Sequence, residues 1–167
     1  KEKIDYTAIG LGLSKDFIKT FNKLNANCIE TEIDPHFVKP KKIKPWKKKN
    51  QDICLLLDVI EHLTDPVFCL DQINQSLKKD GLLIITTDNI SSIRYVVRML
   101  FLGKSPNNHP IRSSLIYRGD WRPHHKEFSK EELEFYLKFC GFEIISHEFF
   151  DRQMYKYFVD HKNKKIK

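Results

Sequence analysis

The sequence predicts an α/β protein, a mostly parallel sheet with helices on both faces. Three observations carry this expectation. Short β-prone runs alternate with stretches of helical periodicity along the chain. Two of the runs, 52–59 (DICLLLDV) and 82–86 (LLIIT), are continuous and apolar, as strands covered on both faces are. The first third reads strand, glycine turn, helix, strand, which is a βαβ unit. A length of 167 residues suits a single domain spanning 1–167.

The elements follow in order. Residues 6–9 form a strand that ends at Gly10-Leu11-Gly12. Ser14 is placed to cap a helix in which Phe17, Ile18, Phe21 and Leu24 recur at helical spacing. Residues 28–33 form a second strand, closed by Asp34-Pro35. The connection 36–51 has no periodicity and carries Lys at 39, 41, 42, 44, 47, 48 and 49. After the strand at 52–59, Thr64-Asp65-Pro66 starts a helix with a capping side chain and a proline in the first turn. Val67, Leu70, Ile73, Asn74 and Leu77 follow one face, Lys78-Lys79 suit the negative end of the dipole, and Gly81 ends the helix. A strand at 82–86 precedes a helical stripe of Ile93, Val96, Val97, Leu100 and Phe101. A long polar loop covers 103–124. Ser129-Lys130-Glu131-Glu132 is a capping box whose helix runs to Gly141. Residues 142–150 and 154–159 are the last strands, an antiparallel pair, and Phe135, Phe139, Phe142, Phe149 and Phe150 are expected in the core.

Composition narrows the function. Hydrophobic residues at 41% can bury a core, and no apolar run approaches the roughly 20 residues of a membrane span. The four cysteines form no C-x-x-C pair, which suits buried free thiols in a reducing cytoplasm and disfavours zinc. The first residues have no secretory apolar region, so a cytoplasmic location is expected. The chain begins almost at its first strand, which suggests N-terminal truncation. The net charge of +7 allows an anionic partner, and the lysine run at 39–49 is either a phosphate-binding segment or a solvated loop.

Ligands of open α/β sheets lie beyond the carboxyl ends of the strands. Three segments reach that edge: Gly10 to Gly12, Glu32 to Asp34, and Asp58 to His62. The glycines let backbone N–H groups approach a ligand, and Glu32 follows at a spacing that suits ribose hydroxyls. No G-x-x-x-x-G-K-[ST] is present at that turn, which excludes an NTPase P-loop there.

The run Asp58-Val59-Ile60-Glu61-His62-Leu63-Thr64-Asp65-Pro66 resembles the fourth motif of class I S-adenosylmethionine-dependent methyltransferases. Residues 77–87 (LKKDGLLIITT) resemble the family's following helix end and strand, with Asp88-Asn89 where Pro-Asn is usual. His125-Lys126-Glu127-Phe128-Ser129, then Glu132-Leu133 and Gly141-Phe142, are similar to a block near the end of many members. The chain departs from the family at Ala8 and Ser14, where an acidic residue and a third glycine are usual, and in its short 36–51 stretch.

The resemblance implies a Rossmann-like sheet, mostly parallel with one antiparallel C-terminal strand. It also implies S-adenosyl-L-methionine as cofactor, with Gly10, Gly12, Glu32, Ile33, Asp58 and Val59 around it. His62, Glu61 and His125 are then the catalytic candidates, an imidazole being a suitable base near neutral pH. Asn89, Arg94, Trp121 and His124 are candidates for the acceptor. The motif also resembles members that bind a divalent metal such as Mg²⁺, for which the matching residues are Asp58, Glu61, His62 and His125, with His124 as rival. In the structural alternative, Glu61 or His62 caps the next helix.

The leading expectation is O-methylation of a saccharide or another small polar metabolite, as in polysaccharide biosynthesis. The alternative is a methyltransferase-like binding module that no longer catalyses and uses 39–49 for nucleic acid or another anion. A nicotinamide dehydrogenase ranks third, because the glycine turn lacks its third glycine.

Overall fold

The computed structural model describes residues 7–10, 15–23, 27–31, 33–34, 51–103 and 124–150. Gly12, Ser14, Glu32, the lysine run, Trp121 and the strand expected at 154–159 lie outside the described residues.

The described chain opens with two parallel βαβ units. Strand β1 (Thr7–Gly10) pairs with β2 (Asn27–Glu30), and helix α1 (Lys15–Lys23) lies between them in sequence. Strand β3 (Gln51–Leu57) pairs with β4 (Leu77–Thr86), and α2 (Pro66–Ser76) crosses between them. Both pairs are parallel because a helical crossover returns the chain to the same end of the sheet. Helices α3 (Ile93–Leu102) and α4 (Lys130–Phe139) follow, and a single parallel bridge joins Asn89 to Phe128. Among the described residues the strands form two two-stranded sheets where one continuous sheet was expected. Residues 142–150 join no ladder among them, so the expected antiparallel strand is not seen there.

Local chemistry sets the helix ends. Asp65 caps α2 by accepting from the Phe68 N–H at 3.0 Å, and Pro66 occupies the first turn, where its missing N–H costs nothing. The other end differs from expectation. The helix stops at Ser76, not at Gly81, because Leu77 is already extended, buried and opposite Gln51. The register then jumps, so that Ile53 faces Leu82 and Lys78 to Gly81 arch out of the ladder. Lys78 meets Asp52 at 2.8 Å on that arch and leaves the helix dipole. Asp80, not Gly81, takes the left-handed turn at φ 64. Gly81 serves a close approach instead: a Cβ there would lie 3.1 Å from the Lys78 carbonyl oxygen and 3.2 Å from that of Gln51. At α4 the capping box forms as read, with Glu132 N donating to Ser129 Oγ at 3.3 Å and Ser129 N to Glu132 Oε2 at 3.1 Å.

The core lies on one face of β3–β4. Leu56 points into it and meets Ile60, Leu70 and Ile73, together with Phe128, Leu133 and Leu137 from the C-terminal segment. The opposite face, with Ile53, Leu55, Leu57, Leu82 and Ile84, is exposed among the described residues. These strands are therefore apolar on both sides but covered here on one. Four of the five phenylalanines expected in the core (135, 139, 149 and 150) are exposed, and Phe142 packs against the core edge. Phe135 and Phe139 stack on each other along the outer side of α4, one helical turn apart. All four cysteines are free thiols, and burial pushes the Cys69 thiol up to about 12.

Candidate functional site

The site is built at the carboxyl end of β3. The chain leaves the strand at Asp58, whose φ of 52 is left-handed. Such a backbone costs an Asp about 1 kcal/mol or more and persists only where neighbours hold it. Thr86, at the end of β4, is that neighbour. Asp58 N donates to the Thr86 carbonyl at 3.0 Å, and the Thr86 hydroxyl donates to Asp58 Oδ1 at 3.0 Å. The chain then coils through one 3₁₀ turn, Ile60–His62, closed by His62 N donating to the Val59 carbonyl at 3.0 Å.

Within that turn Ile60 and Glu61 face inward. Glu61 is 2% exposed. Burial pushes its carboxyl above the usual carboxylate range. Its own N–H, the Thr87 hydroxyl and His62 pull the other way, and Asp58 adds to the rise. The Thr87 hydroxyl donates to Glu61 Oε2 at 3.0 Å. The Glu61 carbonyl accepts from His125 N at 2.7 Å and Lys126 N at 3.2 Å. One residue thus joins the end of β4 to the segment that returns before α4.

This anchoring decides which histidine enters the site. The main chain of His125 is held by Glu61, and the preceding residue turns inward. The His124 ring meets the His62 ring edge-on, with centroids 4.6 Å apart and planes at 85°. His124 Nδ1 lies 3.5 Å from Glu127 Oε1 and 3.8 Å from Asp88 Oδ2, and Glu127 is buried. One ligand atom from each of Glu61, His62 and His124 falls within a 4.8 Å cluster, as does one from each of Asp88, His124 and Glu127.

His124, assigned above to the acceptor and as rival in a metal set, is thus the histidine whose ring meets that of His62 and which shares both clusters. Asp58 is in neither cluster, and its Oδ1 accepts from the Thr86 hydroxyl.

The other expected residues divide. Gly10 closes β1 opposite Glu30, so the carboxyl ends of β1 and β2 lie side by side. Ile33 and Val59 pack against the core. Asn89 Oδ1 accepts from Ser91 N at 2.9 Å, which commits it to its own turn. Arg94 and Asn89 line an open groove together with Asp58, Thr86, Thr87 and Asp88. Gly12, Glu32 and Trp121 lie outside the described residues. Reading the sequence assigned no role to Thr87 and could not pair Asp34 with Thr64, because these partners are about 26 to 30 positions apart in the chain. Glu127 had a readable signal, standing three positions after His124.

A profile of a methyltransferase domain matches residues 8–147. The ubiquinone biosynthesis O-methyltransferase of Pelagibacter ubique is 29% identical over 94 residues, which cover 56% of this chain and 38% of that protein. An S-adenosylmethionine-dependent methyltransferase of Mesorhizobium loti shares the fold at a TM-score of 0.53 and 14% identity, over 93% of this chain and 73% of that one. One from Thermotoga maritima does so at 0.51 and 21% identity, over 82% and 55%. The chain thus spans well under half of the curated relative and about half of the Thermotoga protein. With its strand–turn–helix at 51–76 and its match over most of its length, the chain belongs to the class I, S-adenosylmethionine-dependent methyltransferase family.

Proposed function

We propose that this chain transfers a methyl group from S-adenosylmethionine to a hydroxyl of a small polar acceptor, a saccharide being the class that suits it best. The observation that carries the reading is the cluster of Glu61, His62 and His124 at the carboxyl end of β3, where open α/β sheets bind ligands. When bound, the cofactor supplies an electrophilic methyl on a sulfonium. The chain's own work is to align the acceptor in line with it and to take the acceptor proton. His62 or His124 takes that proton; Glu127 and Asp88 stand beside the His124 ring, which meets the His62 ring edge-on. Gly10, Gly12, Glu32 and the main chain at Asp58 and Val59 are the proposed cofactor contacts. Asn89, Arg94 and Trp121 are the proposed acceptor contacts, and the location is cytoplasmic. Among the described residues no helix is long and apolar enough to cross a membrane.

The same cluster supports a variant of this reading. One carboxylate oxygen and two imidazole nitrogens suit a divalent transition ion better than Mg²⁺, which prefers oxygen. Glu61, His62 and His124 would hold it, and it would lower the pKa of the acceptor hydroxyl.

Calorimetric titration with S-adenosylhomocysteine, with and without Mn²⁺ and Mg²⁺, tests the proposal. Micromolar binding (about −8 kcal/mol) is expected, followed by turnover in a screen of sugar acceptors. Absence of binding at millimolar ligand overturns it and returns attention to the lysine segment as an anion-binding device. An Mn²⁺ requirement lost in His124→Ala establishes the metal variant.

A further inference from the structure

One fully buried carboxylate takes no part in the chemistry above. Asp34, 0% exposed, stands just past the end of β2. It is held by one residue of the opposite unit: Thr64 N donates to Oδ2 at 2.6 Å, and Thr64 Oγ1 lies 2.7 Å from Oδ1 and 2.8 Å from Oδ2. Bonds to a carboxylate in a water-poor interior are short and strong. Thr64 follows the turn that carries Glu61 and His62, and directly precedes the α2 cap Asp65. The two sheets share no ladder among the described residues, so this carboxylate bridges them where neither β-sheet does. In the sequence Glu32, the expected ribose contact, stands two places before it.

We propose that Asp34 and Thr64 form a positioning clasp that couples cofactor occupancy at the end of β2 to the placement of His62 and His124. The inference rests on the methyl-transfer reading above, and it gives that reading an order. Ligand contacts at the carboxyl end of β2 settle Ile33 and Asp34, the clasp passes that constraint to Thr64, and the His62 turn is set for the acceptor. Coupling of this kind is reciprocal, so loosening the clasp weakens cofactor binding as well.

The test uses the full chain, S-adenosylhomocysteine as the probe, calorimetry for affinity and ¹H–¹³C spectra for the His62 and His124 rings. Thr64→Val, which removes the hydroxyl, is expected to weaken binding about tenfold, the scale of one lost bond to a charged group. It is also expected to abolish the ligand-induced shifts of both rings. Thr64→Ser restores both effects. A tie that is merely structural lowers the melting temperature of Thr64→Val while affinity and ring shifts stay as in the wild type, and that result overturns the clasp. Should Thr64→Val fail to fold, Asp34→Asn, which keeps an acceptor for the Thr64 N–H, carries the same comparison. A wild-type chain that binds no S-adenosylhomocysteine overturns the methyl-transfer reading and the clasp together. Wild-type binding with unchanged variants overturns the clasp alone.

Discussion

The two βαβ units are built alike and consolidated differently. In the unit β3–α2–β4 the ladder is long, the crossover helix has a side-chain cap, and three fully buried side chains of α2 (Cys69, Leu70 and Ile73) join residues from α4 and Phe128. In the unit β1–α1–β2 the strands have four residues each, and Ile9 and Ile33 touch the common core only from its margin. The first unit is held by packing. Among the described residues the second meets it through a buried carboxylate–threonine contact and a few apolar side chains. The difference teaches where catalysis and binding divide. One proposed base, His62, sits on the consolidated unit, in the turn between β3 and α2. Gly10, one of the proposed cofactor contacts, belongs to the lighter one.

Substitutions can break or sharpen this contrast. The largest effect is expected on activity. His124→Ala lowers methyl transfer about 10²–10⁴-fold, the usual worth of a positioned acid or base. His125→Ala is expected to lower it less, because the main-chain N–H that ties His125 to Glu61 is kept. Steady-state rates of the two variants decide the matter, and a larger loss in His125→Ala would reverse the assignment.

Next comes the core. Ile73→Ala, at a site with no exposure, is expected to cost about 2–5 kcal/mol in urea unfolding. Ile9→Ala, in a partly buried strand, costs clearly less. Equal costs would show the two units to be equally consolidated.

Helix caps follow. Asp65→Ala and Ser129→Ala each remove one side-chain acceptor from a helix N-terminus and should each cost about 1 kcal/mol.

The smallest effect is a pH dependence. The Ser129 N–H and Lys126 hold the Glu132 carboxyl below the usual carboxylate range. Its contribution is therefore fully present above the ordinary carboxylate pKa of about 4.3, and is lost as the pH falls through the depressed folded value. Glu132 is half exposed, so solvent keeps the effect small. The stability gap between wild type and Glu132→Gln should narrow as unfolding is repeated from pH 7 downwards and vanish in strong acid.

What could be read from the sequence was what neighbours in the chain decide. The Thr64-Asp65-Pro66 start, the capping box at Ser129 and the apolar runs at 52–59 and 82–86 depend on side chains within a few positions of the backbone they serve. The segment from Asp58 to Pro66 could be read for the same reason, because its residues form one continuous turn. Tertiary structure alone decided the rest. Whether α2 ended at Ser76 or ran on to Gly81 depended on Leu77 finding Gln51 across the sheet. Whether His124 or His125 met His62 depended on which of two successive residues had its main chain held by Glu61. Whether Phe135 and Phe139 were core depended on which face of α4 met α2. In each case local propensity allows both outcomes at nearly equal cost. A contact tens of residues away supplies the 1 or 2 kcal/mol (roughly one satisfied buried hydrogen bond) that selects between them.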